Sequence, residues 1–379
     1  MKVKAIKAAV VGCGNISDIY IQNMQQKFQI LEVVGCAASH MESAKRKAEQ
    51  FGIKAMTIEE ICESDEIELV VNLTPPSAHY AVIKQLIEAG KHVYTEKVFA
   101  VELAEAKELS ELADKKGVYL GVAPDTFLGS SIQTARQLVE SGLIGEVTSC
   151  TAIVNRDYAT LTELFSFLKG KGAGIGFDLG IYYVTALLSI LGPVKKVNGM
   201  MKNSITERIH PFPREDNFNE RYQIENEGIL AGTILFENGV IGSLQFNSES
   251  VFPEKPYVTL YGTQGVIYMS DPNEFGGEVR LLRKGQTEAI VFPGNFGYSD
   301  NSRGLGAAEM AWAIQNQRRP RANKEMAYHA LELLHGIAKS NLTERTIILQ
   351  STFEKMPPLP QGYLNREYLQ ADEEAALTI

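Results

Sequence analysis

The sequence predicts an α/β protein with two domains, a doubly wound parallel sheet over residues 1–125 and an α+β domain over residues 126–379. Three observations support this prediction. The chain has 379 residues, which is more than a single hydrophobic core usually organises. The first 125 residues alternate short β-branched runs with longer amphipathic segments. After Pro124 several strand-like runs follow one another without intervening helices, which is typical of an α+β domain.

The first domain shows a strict alternation of strand and helix, which favours a parallel sheet with helices on both faces. Its strands are short runs of apolar and β-branched residues, and its helices are longer amphipathic segments. The predicted strands span residues 6–11, 31–37, 68–73, 92–96 and 118–123, and the predicted helices span residues 16–28, 41–51 and 79–89.

The second domain is predicted to be built on an antiparallel sheet, because turn signals such as Glu237-Asn238-Gly239 separate its strands. Residues 207–227, rich in Pro, Asn and charged side chains, are predicted to form a long loop. The predicted strands span residues 147–156, 228–236, 240–248, 257–261, 266–269 and 279–283, and the predicted helices span residues 130–141, 307–317 and 324–340.

The composition argues against several classes of partner. Thirty-seven basic and 46 acidic residues leave a net charge of -9, whereas nucleic acids and anionic membranes are normally bound by clustered Lys and Arg. The four cysteines show no CxxC spacing and are expected to be reduced thiols, with neither disulfides nor a metal site. The N-terminus lacks a signal-peptide pattern, and the apolar run 181–191 is too short to span a bilayer. We therefore expect a soluble, cytoplasmic protein.

A glycine-rich turn, GCGNIS at residues 12–17, lies where the first strand must turn into the first helix. Gly12 permits the tight turn, and Gly14 lets the backbone approach a pyrophosphate. Asn15 and Ile16 open the helix, whose free N–H groups and dipole favour phosphate. The pattern is GxGxxS, with the small Ser17 at the third glycine position. It predicts a dinucleotide-binding turn, and an ordinary strand–helix turn is the alternative.

The end of the second predicted strand bears on the choice between NAD and NADP. Folds specific for NAD place Asp or Glu there, but this chain has Ser39 and His40 and no carboxylate before Glu42. Ser39 can donate to a 2′-phosphate, and Lys45 and Arg46 add positive charge nearby. The pattern therefore favours NADP modestly over NAD. A serine at the N-cap of the next helix is an equally ordinary explanation.

Five short segments occur in a specific order and spacing. They are residues 12–17, Asn72-Leu73-Thr74-Pro75-Pro76 with His79, Tyr94-Thr95-Glu96-Lys97, GAGIGFDLGIY at residues 172–182, and Gly262-Thr263-Gln264-Gly265. In these segments the chain resembles the Gfo/Idh/MocA oxidoreductase family over essentially its whole length. The resemblance implies a Rossmann domain followed by a domain with a large, open, mainly antiparallel sheet.

The resemblance also implies roles for two strand ends. The turn at Thr74, Pro75 and Pro76 would pack beside the cofactor, with His79 starting the next helix. Taken alone, His79 is an ordinary residue at a helix start. Glu96 would also lie at the cofactor, and Lys97 would contact both cofactor and substrate and take part in proton transfer.

Lys97 carries the main chemical expectation. Oxidising an alcohol removes a hydride from carbon and a proton from oxygen, so an acid or base must lie beside the hydroxyl. Burial lowers the pKa of an ammonium group toward the working range, which suits Lys97 to this task. A surface ion pair is the alternative. Val98 stands where the family has proline, so the backbone after Lys97 is expected to lose its fixed φ and easy access to a cis bond.

Asp178 and Tyr182 are four residues apart, so on a helix they share one face and reach one ligand. In the family a histidine more often stands at the position of Tyr182, and some members have tyrosine. A phenol can donate to a carbonyl or alkoxide, so acid–base function is retained. The alternative makes Asp178 an N-cap and Tyr182 a core aromatic.

These observations predict an NAD(P)-dependent dehydrogenase that moves a hydride to or from a hydroxyl-bearing carbon of a sugar, cyclitol or related diol. The alternative is a non-catalytic regulator that senses dinucleotides, in which the acid–base residues would be lost. Assembly into a homodimer or homotetramer through the open face of the second sheet is expected. The substrate itself is not encoded in a readable motif, and residues 155–157 and 207–227 are expected to select it.

Overall fold

The computed structural model describes residues 4–213, 216–250, 257–294 and 296–360. Its N-terminal part is a parallel sheet with strand order β3-β2-β1-β4-β5-β6 and helices packed on it. The strands are β1 Ile6–Val11, β2 Leu31–Ala37, β3 Lys54–Ala55, β4 Leu69–Asn72, β5 His92–Thr95 and β6 Leu120–Val122. The helices are α1 Ile16–Gln26, α2 Met41–Phe51, α3 Ile58–Glu63, α4 Pro76–Glu88 and α5 Leu103–Lys116.

The strand order places the ligand crevice. The chain leaves β1 toward β2 on one side and later returns to β4 on the other, so the carboxyl ends of β1 and β4 form the topological switch point. β4 is fully buried and β1 is buried except at Lys7, as their largely apolar sequences predict. The turns that follow them, at Gly12 and at Thr74, therefore lie side by side.

The second sheet runs in the order β16-β15-β14-β13-β7-β12-β11-β8-β17. Its neighbouring strands pair antiparallel, except that β7 and β12 run parallel. Strands β7 to β12 are β7 Val147–Asn155, β8 Val194–Lys202, β9 Glu207–Ile209, β10 Arg221–Gln223, β11 Ile229–Phe236 and β12 Ile241–Asn247. Strands β13 to β17 are β13 Tyr257–Gly262, β14 Gly265–Met269, β15 Val279–Arg283, β16 Ile290–Phe292 and β17 Ile347–Ile348.

One face of this sheet is covered by α6 Ser130–Glu140 and α10 Lys324–Thr343, which pack on β14 and β8. The other helices of this part are α7 Tyr158–Leu164, α8 Ile181–Leu191 and α9 Leu305–Gln315, and α9 packs on β5 and β6 of the first sheet. Short 3-10 turns lie at Thr126–Leu128 and Ser166–Lys169, and a π-helical turn lies at Gly176–Gly180. Gly180 packs so closely on Phe246 of β12 that an added Cβ would lie 2.5 Å from the ring. On the opposite face large apolar side chains are exposed, among them Met200, Ile241 and Tyr261.

The predicted fold class is confirmed, with corrections in the second part. The prediction that its strands follow without helices is wrong, because α7 and α8 lie between β7 and β8. The loop predicted over residues 207–227 is wrong at both ends, since β9 and β10 pair there as antiparallel strands. Thr162 on α7 holds this β9–β10 hairpin through a 2.7 Å hydrogen bond with the Tyr222 hydroxyl. The domain boundary at residue 125 remains a prediction.

The chain returns to the first sheet after crossing the second. The Val122 N–H of β6 donates to the carbonyl of Ala322, and Gly306 of α9 packs against the Tyr94 ring of β5. This return brings the loop before α9 against α1, where Asn23 donates to the carbonyls of Asn301 and Arg303. Across the described ranges, none of the helices combines the length and apolarity that crossing a bilayer requires.

Candidate active site

The turn after β1 has the geometry of a dinucleotide-binding turn. Gly12 has φ of 105°, and a Cβ there would lie 2.6 Å from the backbone of Leu73, so neither its conformation nor its surroundings admit another residue. The Cβ position of Gly14 has no atom within 4 Å and faces open space. Ser17 is buried, and its hydroxyl donates to the Gly14 carbonyl at 2.6 Å. A small residue is therefore required here, and serine satisfies it.

The first turn of α1 presents Asn15 and Ile16 to solvent beside the open space at Gly14. After β2, Ser39 and His40 are likewise exposed. The N-cap of α2 is His40, so the N-cap explanation of Ser39 is not how this helix begins.

The charged groups proposed near the ribose are partly engaged within α2. Lys45 pairs with Glu42 at 2.8 Å, and Arg46 donates to the Ser43 hydroxyl at 3.3 Å. Both basic side chains are exposed, so either can turn toward a ligand phosphate.

The turn after β4 is fixed by a buried asparagine. The Oδ1 of Asn72 accepts from the Thr74 hydroxyl at 2.8 Å, and its Nδ2 donates to the Thr95 hydroxyl at 3.0 Å. Pro75 is the N-cap of α4 and Pro76 occupies its first turn, where a missing N–H costs nothing. The strand end is therefore rigid beside Gly12.

His79 joins this turn to the loop that carries Lys97. It is fully buried, and its two ring nitrogens each lie 2.6 Å from a backbone carbonyl, those of Val98 and Thr74. Burial lowers the pKa of His79, although the two carbonyls act in the opposite direction. The imidazole faces the protein interior and holds the backbone at Thr74 and Val98 together. The Lys97–Val98 peptide is cis, so the expectation that Val98 removes the cis bond is wrong.

Lys97 reaches across to the second part of the chain. Its Nζ donates to Asp178 Oδ1 at 2.6 Å and to the Asp178 carbonyl at 2.8 Å, and it lies 5.3 Å from the centre of the Tyr182 ring. The Lys97 and Asp178 side chains are 13% and 12% exposed, so this is a largely desolvated ion pair and not a surface one. All three predicted catalytic residues thus lie together.

The expected lowering of the Lys97 pKa is wrong in sign. Burial does lower the pKa of Lys97, but the Asp178 carboxylate, with Tyr182 and Glu96, more than offsets this, so the pKa lies above its ordinary value. Burial also raises the pKa of Tyr182, although Lys97 and Arg303 oppose the rise. Both groups therefore hold their protons at neutral pH. The site is a proton donor in its resting state.

Asp178 lies in the π-helical turn Gly176–Gly180, and Tyr182 lies in the first turn of α8. The N-cap of α8 is Gly180, so the N-cap alternative for Asp178 does not apply. Asp178 uses its second oxygen as well, because Oδ2 accepts from the Tyr158 hydroxyl at 2.7 Å. Tyr158 was missed by the sequence analysis, since nothing in its local sequence distinguishes it from a core aromatic residue.

Glu96 holds the backbone of Lys97 from the side of α1. Its Oε1 accepts from the Tyr20 hydroxyl of α1 at 2.6 Å, and its Oε2 accepts from the Lys97 N–H at 3.1 Å. The carboxylate therefore ties the loop of Lys97 to the helix that starts at the dinucleotide turn.

Arg303 is a second cation at the site that the sequence analysis missed. Its guanidinium is within hydrogen-bonding reach of the Tyr182 hydroxyl, which contributes to a pKa of Arg303 above its ordinary range although burial lowers it. Asn301 and Asn273 hold the same guanidinium through Oδ1 atoms at 2.9 and 3.1 Å. Asn23 on α1 donates to the Arg303 carbonyl at 2.9 Å.

The placement of Arg303 depends on Asp125. This buried carboxylate accepts the N–H groups of Gly304 and Gly306 at 3.0 Å, so it caps α9 directly after Arg303. Burial raises the pKa of Asp125 to about 6. No sequence motif marks Arg303, because only the return of α9 to the first sheet brings it here.

The predicted substrate-selecting residue Arg156 lies next to this cluster. Its Nη2 pairs with Asp271 Oδ2 at 3.2 Å, and Asp271 Oδ1 accepts from the Tyr183 hydroxyl at 2.8 Å. Tyr183 follows Tyr182 directly in α8, so the Arg156–Asp271 pair supports the helix that carries the phenol.

The fold is that of an NAD-binding Rossmann domain followed by a domain with a large, mainly antiparallel sheet. Residues 6–123 match the Gfo/Idh/MocA oxidoreductase family with an NAD-binding Rossmann fold, and residues 132–268 match the Gfo/Idh/MocA C-terminal domain. The chain belongs to this family.

Individual relatives cover different shares of the chain. It is 30% identical over 218 residues to an uncharacterized oxidoreductase of Schizosaccharomyces pombe, a match that covers 56% of this chain and 58% of that protein. It is 23% identical over 368 residues to a scyllo-inositol 2-dehydrogenase (NADP(+)) of Bacillus subtilis, covering 92% and 97%. The match thus spans only about three fifths of the fission yeast relatives. A structure of levoglucosan dehydrogenase with NADH and L-sorbose has a TM-score of 0.80 at 17% identity, covering 91% of this chain and 99% of that one.

Proposed function

We propose that the protein transfers a hydride between a nicotinamide cofactor and a hydroxyl-bearing carbon of a sugar, cyclitol or related diol. The observation that carries the proposal is the convergence of Lys97, Asp178 and Tyr182, from two distant parts of the chain, beside the dinucleotide turn. The names of two relatives, a scyllo-inositol dehydrogenase and a levoglucosan dehydrogenase, support a polyol or sugar-like substrate.

The residues present fit a dinucleotide. Gly14 leaves open space in front of the first turn of α1, and the exposed N–H groups of that turn suit a pyrophosphate. Ser39 and His40 would lie at the ribose, and the Thr74–Pro76 turn would flank the nicotinamide end. We favour NADP modestly over NAD, because β2 ends without a carboxylate and Lys45 and Arg46 are close by.

The nicotinamide, when bound, supplies or accepts the hydride. The chain's own residues handle the proton. In the reducing direction the Lys97 ammonium and the Tyr182 phenol donate to the substrate oxygen, which stabilises its developing negative charge and then protonates it. Asp178 holds the ammonium in place, and Arg303 stabilises the phenolate that remains. In the oxidising direction the hydroxyl proton passes to Lys97 or Tyr182 once that group has lost its own proton.

The regulator alternative expects these acid–base residues to be lost. Instead each has a partner that orients it: Glu96 and Asp178 for Lys97, Tyr158 for Asp178, and Arg303 for Tyr182. A binding site without chemistry has no need of such an arrangement. The geometry therefore supports the hypothesis of an enzyme over that of a regulator.

Assembly and location belong to the proposal as well. The open face of the second sheet exposes five large apolar or aromatic side chains, those of Met200, Ile241, Tyr257, Tyr261 and Tyr268, and such groups of exposed apolar residues often mark an interaction surface. A homodimer or homotetramer would cover it. The cytoplasmic location rests on the four scattered cysteines, which are free thiols in the structure.

A cofactor screen tests the proposal. The protein is mixed with polyols, cyclitols and aldoses, with NAD and NADP in parallel, and nicotinamide reduction is followed by absorbance. Turnover on at least one substrate is expected, with NADP the better cofactor. A panel without turnover, combined with measurable dinucleotide binding, would favour the regulator.

A further inference from the structure

A cleft lies behind the catalytic aspartate. It is bounded on one side by the β9–β10 hairpin and on another by the glycine-rich segment before α8. Tyr158 and Glu227 line it, together with Asn203, Arg208 and Glu249. None of these residues has a part in the chemistry described so far except Tyr158.

Tyr158 connects this cleft to the active site. Its hydroxyl donates to Asp178 Oδ2 at 2.7 Å, while Asp178 Oδ1 accepts from Lys97 at 2.6 Å. A continuous hydrogen-bonded chain therefore runs from the lysine to a tyrosine at the wall of the cleft. Because Lys97 and Asp178 are largely desolvated, a proton used in the site has to be replaced by such a route or by opening of the site.

Glu227 is the acid at the other side of the cleft. Its Oε1 accepts from the N–H of Gly176 at 3.1 Å, in the same π-helical turn that carries Asp178. Burial raises the pKa of Glu227 to about 7, so the carboxyl exchanges protons in the neutral range. Its field also reaches Tyr158, whose pKa is raised by burial and by Asp178, with a further contribution from Glu227.

The cleft is a place for ordered water. Within the part of the chain that the structure describes, Asn203 Oδ1 and Arg208 Nε are buried and have no hydrogen-bond partner. Buried polar atoms of this kind are normally satisfied by water. Since Tyr158 and Glu227 line the same cleft, water there would connect them.

We propose that Tyr158, ordered water in this cleft and Glu227 form a proton path that reloads Asp178 and Lys97 from solvent. The inference rests on the proposed function. In the reducing direction a proton of Lys97 first goes to the substrate oxygen, directly or by way of Tyr182. The Tyr158 O–H bond then breaks as an Asp178 O–H bond forms, and the Asp178 O–H bond breaks in turn as the Lys97 N–H bond is remade. A water in the cleft then gives a proton to Tyr158, which remakes the Tyr158 O–H bond. The Glu227 O–H bond breaks as Glu227 gives its proton to that water. Only protons move, Glu227 regains one from solvent, and oxidation runs the path in reverse.

The other charged groups of the cleft have partners of their own. Glu249 Oε1 accepts the N–H groups of Ser204 and Ile205 at 2.8 and 3.1 Å. Arg208 faces Asp157 at 3.8 Å. Glu227 is thus the cleft carboxyl whose position connects to the catalytic turn, and Glu249 is its natural control.

The test compares Glu227→Gln with the parent enzyme and with Glu249→Gln. Glutamine keeps the acceptor for Gly176 but cannot carry a proton. We expect Glu227→Gln to lower kcat by about tenfold or more, less than the roughly 10²–10⁴-fold of an acid or base that acts on the substrate itself. The solvent deuterium isotope effect on kcat should rise, cofactor affinity should hold, and imidazole added to the buffer should restore part of the rate. Glu249→Gln should match the parent.

Three results would overturn the path. They are an unchanged kcat and isotope effect in Glu227→Gln, a lowered kcat with neither a larger isotope effect nor rescue by imidazole, or an equal effect of Glu249→Gln. If Glu227→Gln fails to fold, Tyr158→Phe removes the middle of the path, and an unchanged isotope effect there is equally decisive. Failure of the proposed function is distinct, because the parent itself would then turn over no substrate.

Discussion

The Lys97 ammonium donates to both the side chain and the backbone carbonyl of Asp178, at 2.6 and 2.8 Å. This double contact spans 81 residues of sequence and connects the end of β5 to the turn before α8. It keeps the lysine charged and aimed at Tyr182. The same contact explains why the site is set to donate protons at neutral pH.

The first prediction concerns the dinucleotide turn. Gly14→Val should abolish dinucleotide binding in a folded protein, because the new side chain fills the open space proposed for the pyrophosphate. Nicotinamide fluorescence titration measures the binding, and thermal unfolding checks the fold. Gly12→Ala is the contrasting variant, since its Cβ would collide with the backbone of Leu73 and should lower the stability itself. Unchanged affinity in Gly14→Val would mean that the cofactor binds elsewhere.

The second prediction is a pH dependence that differs between the two directions of reaction. The pKa values of Lys97 and Tyr182 both lie above their ordinary values, so both groups remain protonated through the neutral range. The kcat/KM of reduction, which uses those protons, should vary little between about pH 6 and 8, because reloading through Glu227 follows the first turnover and acts on kcat. Oxidation needs a deprotonated acceptor, so its kcat/KM should rise with pH over the same range. Profiles measured in both directions decide this, and an oxidation rate that falls as pH rises would contradict it.

The third prediction concerns Arg303. Its positive charge and its hydrogen bond lower the pKa of Tyr182 against the effect of burial. Arg303→Gln should therefore move the alkaline limb of the oxidation profile to higher pH and slow oxidation at pH 8 by about tenfold, the equivalent of one pKa unit. Arg303→Lys keeps the charge and should shift the limb less. If the parent and both variants show the same pH profile for oxidation, Arg303 does not influence the pKa of Tyr182.

Some elements of the fold can be predicted from the sequence and others cannot. The strands Ile6–Val11 and Leu31–Ala37 and the helix Met41–Phe51 have the predicted bounds, because local periodicity and turn residues determine them. The β9–β10 hairpin was not predictable in this way, since two strands of three residues in a Pro- and Asn-rich segment carry no periodic signal.

The residues of the candidate site likewise include some that the sequence predicts and some that it does not. Gly12, Lys97 and Asp178 stand in motifs that the sequence displays. Arg303 and Tyr158 do not, because their roles depend on contacts between elements far apart in the chain. The sign of the Lys97 pKa shift was wrong for the same reason. Burial can be guessed from one segment, but the carboxylate that outweighs it comes from another.

The fourth prediction concerns assembly. The protein should form particles larger than its own 41.8 kDa at micromolar concentration, because the open face of the second sheet exposes Met200 and Ile241 at 75% and 55%. Ile241→Glu should shift the population toward monomer by placing a charge in the centre of that face. Light scattering measures both. A parent protein that stays monomeric would contradict the prediction that subunits associate through this face.

The measurement that tests the central claim most directly is the pair of cofactor dissociation constant and turnover rate for the parent and Lys97→Ala. We predict that the alanine variant binds the cofactor nearly as the parent does and loses about 10²–10⁴-fold in turnover, the usual contribution of a positioned acid or base. Tyr182→Phe should also slow turnover, and its loss should not simply multiply with that of Lys97→Ala, because both serve one proton transfer. An active parent whose turnover is untouched by Lys97→Ala would contradict the assignment of Lys97.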